Sequence, residues 1–402
     1  MTGQVPRIAF FPDSFHEVNG VAHTSRHFEQ FAREHSIPFL CVRAGSRAPK
    51  VSRDGTVWTL ELPRSAFSIP LERDLTFDPV YLRHLPLVDE AIQDFAPDVV
   101  HVTGPSDVGV LGASMARYHK IPLAASWHTN VHEYAARRFA HLLRVFPQTA
   151  PLGAAKGIEE CAMMIAAHFY SAAGVLFAPN RQLCGQLEEL TGLSCFLMRR
   201  GVDCTLFNPG KRKRGRSGRE FVLGFVGRLS VEKNVRMLAR VQNELERLGR
   251  KNFHFMIVGH GSEQDWLRRN LPRAEFTGVL KGEALAEAYA DMDLFIFPSH
   301  TDTFGNVVLE ALASGVPAIV TPDGGPASIV RDGETGRVAS EAVFAQAIED
   351  VLEDVALHCQ MGQAARRDAL SATWNSVFSD VLRGYRHLTA QPSHDPSWAA
   401  TN

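Results

Sequence analysis

Short apolar runs rich in β-branched and aromatic residues alternate along the chain with longer stretches in which apolar residues return every third or fourth position. RIAFF, PFLCVRA, VWTLEL, PDVVHVTG, PLAASWHT and GVLFAPN are continuous enough to be strands covered on both faces, and VAHTSRHFEQFAREH between the first two reads as an amphipathic helix. That alternation predicts a parallel sheet flanked by helices. Between Asp203 and Glu220 the pattern stops, because NPGKRKRGRSGRE is basic, rich in glycine and proline, and has almost nothing to bury. The run predicts a solvated linker, since no aromatic residue interleaves its charges as a surface for single-stranded nucleic acid would require. The alternation then restarts with FVLGFVGRLS, FHFMIVGHG, AEFTGVL, MDLFIFPS and VPAIVTP. The expectation is an α/β protein of two Rossmann-like, doubly wound parallel-sheet domains facing across a cleft. They span residues 1–203 and 221–372 and are joined by a basic linker at 204–220. Residues 373–402 supply a last helix, returning to the first domain, and a frayed tail.

Composition narrows the partners more than the fold. A chain of 402 residues is too long for one core and comfortable for two, and 45% apolar with 21% charged residues is ordinary globular material. Lys+Arg 42 against Asp+Glu 44 leaves a net charge of -2, so no global field would hold nucleic acid or an anionic membrane, and any such partner must meet a local patch. No apolar run is long enough to span a bilayer, and the start has no basic segment followed by an apolar core and a cleavage site, so a cytoplasmic protein is expected. The six cysteines show no C-x-x-C pair, which predicts neither a disulfide framework nor a zinc knuckle.

Open α/β sheets place ligands outside the carboxyl ends of their strands, and the chain's candidate chemistry lies there. After the first strand, Asn19-Gly20 precedes a helix, where a glycine lets backbone N–H groups approach a phosphate. In FVLGFVGRLSVEKN, Arg228 ends a strand and Lys233 opens the next helical segment. Two cations there suit a diphosphate, the alternative being a solvated turn in which Arg228 pairs with Glu232. In PSHTDTFGNVVLEALASGVPAIVTPDGGP, Asp302 follows a strand, and Glu310 comes eight positions later on a helix expected to begin near Phe304. The two carboxylates can address separate parts of one elongated ligand, while the amides of Thr303, Phe304, Gly305 and Asn306 offer donors at the helix mouth. A helix N-cap is the other role open to Asp302. Glu310, on an otherwise apolar helix, needs a partner.

Taken together, GRLSVEKN, TDTFGNVVLEALASGVPAIVTPDGGP, the glycine loop at NGV and RRGVDCTLFNP resemble the retaining glycosyltransferases of family four, built on the GT-B fold, over nearly the whole chain. The resemblance implies transfer of a hexose, mannose favoured, from a nucleotide diphosphate sugar with retained anomeric configuration, with neither metal nor cofactor. It implies that Glu310 binds the donor ribose and Asp302 the sugar hydroxyls. Arg228 and Lys233 neutralise the diphosphate, Gly20 completes the cradle, and His128 in SWHTNVHEY lies beside the transferred sugar. The family more usually has glutamate where this chain has Asp302, which bears on sugar choice. No D-x-D follows a strand in the first half to hold a metal, and the remaining histidines, His16, His101 and His132 among them, read as surface or core. A nucleotide-sugar epimerase or phosphorylase on the same fold, and a non-catalytic nucleotide-sugar-binding subunit, stay as alternatives.

Asp13, just after the first strand, belongs to the acceptor side. So does the stretch EYAARRFAHLLRVFPQTAP, in which Arg137, Arg138 and Arg144 interleave with Phe139, Leu142, Leu143 and Phe146. Two readings stand for it: a packing helix with one solvated basic face, or a basic amphipathic helix that lies on an anionic membrane surface and receives a lipid or saccharide acceptor such as a glycolipid or polysaccharide precursor. The second makes a measurable demand. Co-sedimentation with anionic vesicles should be strong at low salt and fall as salt rises, each arginine contributing about 1 kcal/mol. Replacing the three arginines by glutamate should abolish it without changing donor affinity. A protein that ignores anionic vesicles at low salt has a packing helix here.

Overall fold

The computed structural model describes residues 5–17, 20–72, 75–127, 168–215, 220–302 and 304–390. The chain divides into two compact units, Met1–Arg199 with Val377–Asn402, and Arg200–Ser376.

The first unit is built on β1 (Ile8–Phe11), β2 (Phe39–Ala44), β3 (Lys50–Asp54), β4 (Val57–Leu62), β5 (Ile69–Glu72), β6 (Leu75–Phe77), β7 (Val99–Val102), β8 (Leu123–Ser126), β9 (Val175–Ala178) and β10 (Cys195–Leu197). Eight of these form one sheet in the order β10-β9-β8-β7-β1-β2-β4-β3, and β5 and β6 make a separate hairpin. All pairings in the large sheet are parallel except β3 with β4. Numbered over the described residues, its helices are α1 (Gly20–Glu34), α2 (Leu85–Phe95), α3 (Asp107–Tyr118) and α4 (Arg181–Thr191). The strands legible in the sequence are those with both faces covered: every residue of β1, β7, β8 and β9 is buried. The additional ones lack that signal. β3 is KVSRD with every position exposed, a charged edge strand that blunts the sheet against further pairing.

The second unit holds β11 (Phe221–Val226), β12 (Phe253–Val258), β13 (Glu275–Gly278), β14 (Leu294–Phe297), β15 (Ala318–Val320) and β16 (Gly336–Val338). They pair in parallel throughout, in the order β13-β12-β11-β14-β15-β16. Counted from β11 as the first strand this is 3-2-1-4-5-6, the doubly wound order of nucleotide-binding sheets. Its helices are α5 (Met237–Arg247), α6 (Gln264–Asn270), α7 (Gly282–Asp291), α8 (Asn306–Ala313), α9 (Phe344–Glu353) and α10 (Val355–Ser371). One core cluster runs from Val202 to Ala369, with Phe225, Phe255, Phe295, Phe297 and Tyr289 among its largest members.

One stretch behaves differently from its composition. The basic run, expected to be a solvated linker, is described as far as Gly215 and lies along the second unit. Arg212 donates to the carbonyls of Ala290 and Met292 and to Asp293 Oδ1 at 2.7 Å, Arg214 donates to the Glu220 carbonyl, and Lys211 pairs with Glu283. Acidic partners and helix-end carbonyls on α7 and after it supply the acceptors the run lacks internally. The last helix, α11 (Trp374–Ala390), buries Val377, Phe378, Val381, Leu382, Tyr385 and Leu388. Phe378 stacks on Phe28 of α1 with centroids 4.5 Å apart, and the Tyr385 hydroxyl meets His101 Nδ1 inside the first unit. His101 Nε2 meets the Ser126 hydroxyl at 2.9 Å, and burial lowers the imidazole to about 3, so it stays neutral. Among the described residues no helix is long and apolar enough to cross a membrane.

Removing the hydroxyl in Tyr385→Phe leaves a buried ring nitrogen without its partner, and denaturant unfolding should register a loss of about 1–3 kcal/mol. The folded His101 refuses a proton that the unfolded chain accepts. Its contribution is therefore intact above pH 6.5 and erodes as pH falls from there toward about 3.

Candidate functional site

In the second unit the strand order reverses between β11 and β14, which lie side by side. Consecutive crossovers leave this point on opposite faces of the sheet, the place where open α/β sheets take their ligands. Both carry the residues singled out in the sequence. After β11 the chain passes Arg228 and makes a short 3-10 turn, Val231–Lys233, closed by Asn234 in a left-handed conformation at φ 52°. After β14 come Ser299, His300, Thr301 and Asp302.

The structure brings Lys233 and Asp302 together: the ammonium pairs with Asp302 Oδ1, the two side chains being 22% and 19% exposed. Asp302 Oδ2 is buried and has no hydrogen-bond partner among the described residues, as is also true of the hydroxyls of Ser230 and Ser299. A carboxylate oxygen out of water with no donor is costly to maintain and marks a place where a donor is wanted. Arg228 stays apart from the pair. It is 59% exposed and faces Glu232 at 3.8 Å, the solvated arrangement the sequence left open.

Helix α8 starts at Asn306, two residues later than expected, because Gly305 at φ 97° occupies the N-cap. No side chain caps that helix, so Asp302 is not serving as its cap. Only glycine takes such a φ without strain, and a Cβ there would press on Pro326 at 3.0 Å. Phe304 is buried beneath the loop, and Thr303 lies outside the described residues.

Glu310 has the partner its apolar helix demanded: Tyr289 of α7 donates its hydroxyl to Oε2 at 2.8 Å. Burial raises the carboxyl to about 7, and the Tyr289 hydrogen bond restrains the rise. Tyr289 was invisible in the sequence as a site residue, since a tyrosine in AEAYAD reads as core. Asn234 and His300, which bind the two loops to each other, were missed for a related reason: neither belongs to a motif, and only proximity in the fold connects them.

The first unit has its own reversal, where β1 runs between β2 and β7. Asp13 follows β1, and Thr103, Gly104 and Ser106 follow β7. Ser106 donates to Asp13 Oδ1 at 2.6 Å while its oxygen also caps α3 by accepting from the Gly109 amide, and the Asp13 amide donates to Thr103 Oγ1 at 2.7 Å. Gly104 has no room for a Cβ, which would meet Asp13 Oδ2. Burial raises Asp13 to about 6, opposed by the Ser106 hydrogen bond and assisted by Asp107. Gly20 opens α1. His101 is a core histidine and His16 a half-exposed one paired with Glu61 at 3.4 Å. His128, His132, Arg137, Arg138 and Arg144 lie outside the described residues.

Comparison with known proteins identifies a family and a fold. The family described as "Glycosyl transferases group 1" matches residues 220–354. The chain is 32% identical to the GDP-mannose-dependent alpha-mannosyltransferase of Corynebacterium glutamicum over 78% of this chain and 73% of that one. With the protein of the same name from Mycolicibacterium smegmatis the identity is 33%, over 75% and 76%. Among solved structures, sucrose-phosphate synthase from Thermosynechococcus elongatus superposes with a TM-score of 0.71 over 95% of this chain and 99% of that one, at 19% identity, which speaks to the fold alone.

The Glu310–Tyr289 pair is directly testable. Carboxyl chemical shifts should place the Glu310 midpoint at about 7, and Tyr289→Phe, which keeps the ring and removes the donor, should move it higher. An unmoved midpoint would mean that the hydroxyl does not serve the ionised form.

Proposed function

The chain belongs to glycosyltransferase family four, with the GT-B fold, and from that premise we propose that it transfers mannose from a guanosine diphosphate donor to an acceptor hydroxyl, with retention and without a metal ion. The observation that carries the site assignment is the Lys233–Asp302 pair at the strand-order reversal, with one carboxylate oxygen buried and undonated. A sugar hydroxyl is the kind of donor that oxygen lacks. The names of the relatives, GDP-mannose-dependent alpha-mannosyltransferases, support the donor.

The residues divide the work as follows. Glu310, once ionised, accepts from the ribose hydroxyls, and Asp302 Oδ2 accepts from the mannose. When the bond between the anomeric carbon and the phosphate oxygen breaks, its electron pair goes to the diphosphate, whose charge grows. Lys233 meets that growth, and Arg228, an exposed side chain, completes the neutralisation that a divalent ion performs elsewhere. The acceptor oxygen bonds to the anomeric carbon on the face the phosphate leaves, and its proton passes to the departing phosphate oxygen. No protein nucleophile is required. In the first unit Gly20 is assigned to the diphosphate cradle and Asp13 to the acceptor side, and His128 to the transferred sugar. A glycolipid or polysaccharide precursor on an anionic membrane surface is the acceptor that the stretch holding Arg137, Arg138 and Arg144 favours.

Nucleotide release from a panel of nucleotide sugars tests the donor, and GDP-mannose should stand out. Arg228→Ala and Lys233→Ala should each lower kcat by on the order of 10²-fold with the fold intact, as loss of a preorganised charge donor does. Glu310→Ala should act mainly through weaker donor binding, because ribose contacts serve ground and transition states alike. Turnover should persist in excess chelator; complete loss, restored by Mg²⁺ or Mn²⁺, would overturn the metal-independent mechanism.

A further inference from the structure

His300 sits where four separate segments of the second unit meet. Its Nδ1 lies 2.9 Å from Asp323 Oδ2, in the loop after β15, and its Nε2 lies 3.0 Å from Glu341 Oε1, just ahead of α9. Asn234, the residue after Lys233, donates its side-chain amide to the Pro298 carbonyl at 3.2 Å and to the same Glu341 Oε1 at 2.8 Å, and lies 3.3 Å from His300 Nε2. Arg240 of α5 holds the other Glu341 oxygen at 2.9 Å. The neighbouring Thr301 hydroxyl donates to the Glu232 carbonyl at 3.2 Å, and the Gly325 amide donates to the Asp302 carbonyl at 2.6 Å. The 3-10 turn that aims Lys233, the loop that carries Asp302 and the glycine loop after β15 are thus tied to one another, and His300 with Asn234 forms the knot.

We propose that His300 is a positioning residue whose imidazolium, clamped between Asp323 and Glu341, holds the Asp302 loop against the Lys233 turn, so that donor binding weakens when His300 loses its proton. The inference rests on the reading of Lys233 and Asp302 as donor ligands, and its chemistry follows from the ring's two nitrogens. As a cation, His300 donates to both carboxylates at once. As a neutral ring it keeps one N–H. If that proton serves Asp323, the lone pair on Nε2 faces Glu341 Oε1 across 3.0 Å, and one strand of the knot becomes repulsive. Partial burial works against the charged ring, but the hydrogen bonds and charges of Glu341 and Asp323 outweigh it and hold the imidazole above its ordinary value, while Glu341 is held below its own chiefly by His300. The charged groups facing the ring are those two carboxylates. Arg240 lies behind Glu341, and the Lys233–Asp302 pair follows two residues along the loop. A group raised on folding stabilises at low pH and loses that contribution as pH rises through its folded value. The clamp is therefore closed below the ordinary histidine value and opens as pH rises through the raised, folded value of His300.

The test compares the full-length protein with His300→Gln and Glu341→Gln, using guanosine diphosphate as the probe and calorimetry to follow its dissociation constant from mildly acidic to mildly alkaline pH. The unaltered protein should lose about fivefold in affinity as pH rises through the folded value of His300, a coupling of ordinary size. His300→Gln should bind throughout near the weakened level with that step absent, and Glu341→Gln should shift the step to lower pH. Parallel profiles in the parent and His300→Gln would overturn the proposal. Lys233→Ala separates the two layers of the argument: if it binds the nucleotide as the parent does, the diphosphate reading of this site fails. The clamp is then judged by hydrogen exchange of the Gly325 amide and residues 299–306, corrected for intrinsic rate. Protection that falls with rising pH in the parent and not in His300→Gln upholds the clamp, and equal protection in both proteins removes it.

Discussion

A parallel strand can rejoin its sheet only by a crossover over one face, and the handedness of that crossover is fixed by the twist of the strands. Wherever strand order reverses, successive crossovers must therefore diverge, and the loops between them cannot cover the strand ends. This constraint, rather than any single contact, places the chemistry of the protein. In the second unit it opens between β11 and β14, bringing Lys233 and Asp302 together from positions 69 residues apart. In the first it opens between β1 and β7, where Asp13 and Ser106 meet from 93 residues apart.

Acidic groups at these openings are held part way between water and core. Asp13 and Glu310 are both raised by burial, the first restrained by the hydroxyls of Ser106 and Thr103 and the second by that of Tyr289. Asp302 is paired on one oxygen and undonated on the other. A carboxylate so placed has few competing waters to shed before it accepts a hydroxyl. A hydrogen bond donated to it by a hydroxyl is then strong relative to its worth on an open surface.

Much of this was legible in the chain. Strands buried on both faces announce themselves as unbroken apolar runs, and Arg228, Lys233, Asp302 and Glu310 stand out because charges follow those runs where packing would not place them. Other features were not. The charged edge strand β3 has no apolar face to betray it, and the basic stretch before β11 looked solvated because its acceptors are the carbonyls and acids of α7, remote in sequence. Tyr289, Asn234 and His300 act through partners 21, 107 and 41 residues away, and no local pattern records such distances.

The last helix gives the molecule an unusual order of assembly. Its Val377, Phe378, Val381 and Tyr385 complete the core of a unit whose other strands and helices were made at the start, with His101 and Tyr385 separated by 284 residues. The second unit, by contrast, is one uninterrupted segment from Arg200 to Ser376. The residues of α11 that cover the first unit's core are therefore made only after the whole of the second. A chain cut before α11 keeps the second unit up to Thr373 but loses the side chains that cover Phe28 and His101 in the first.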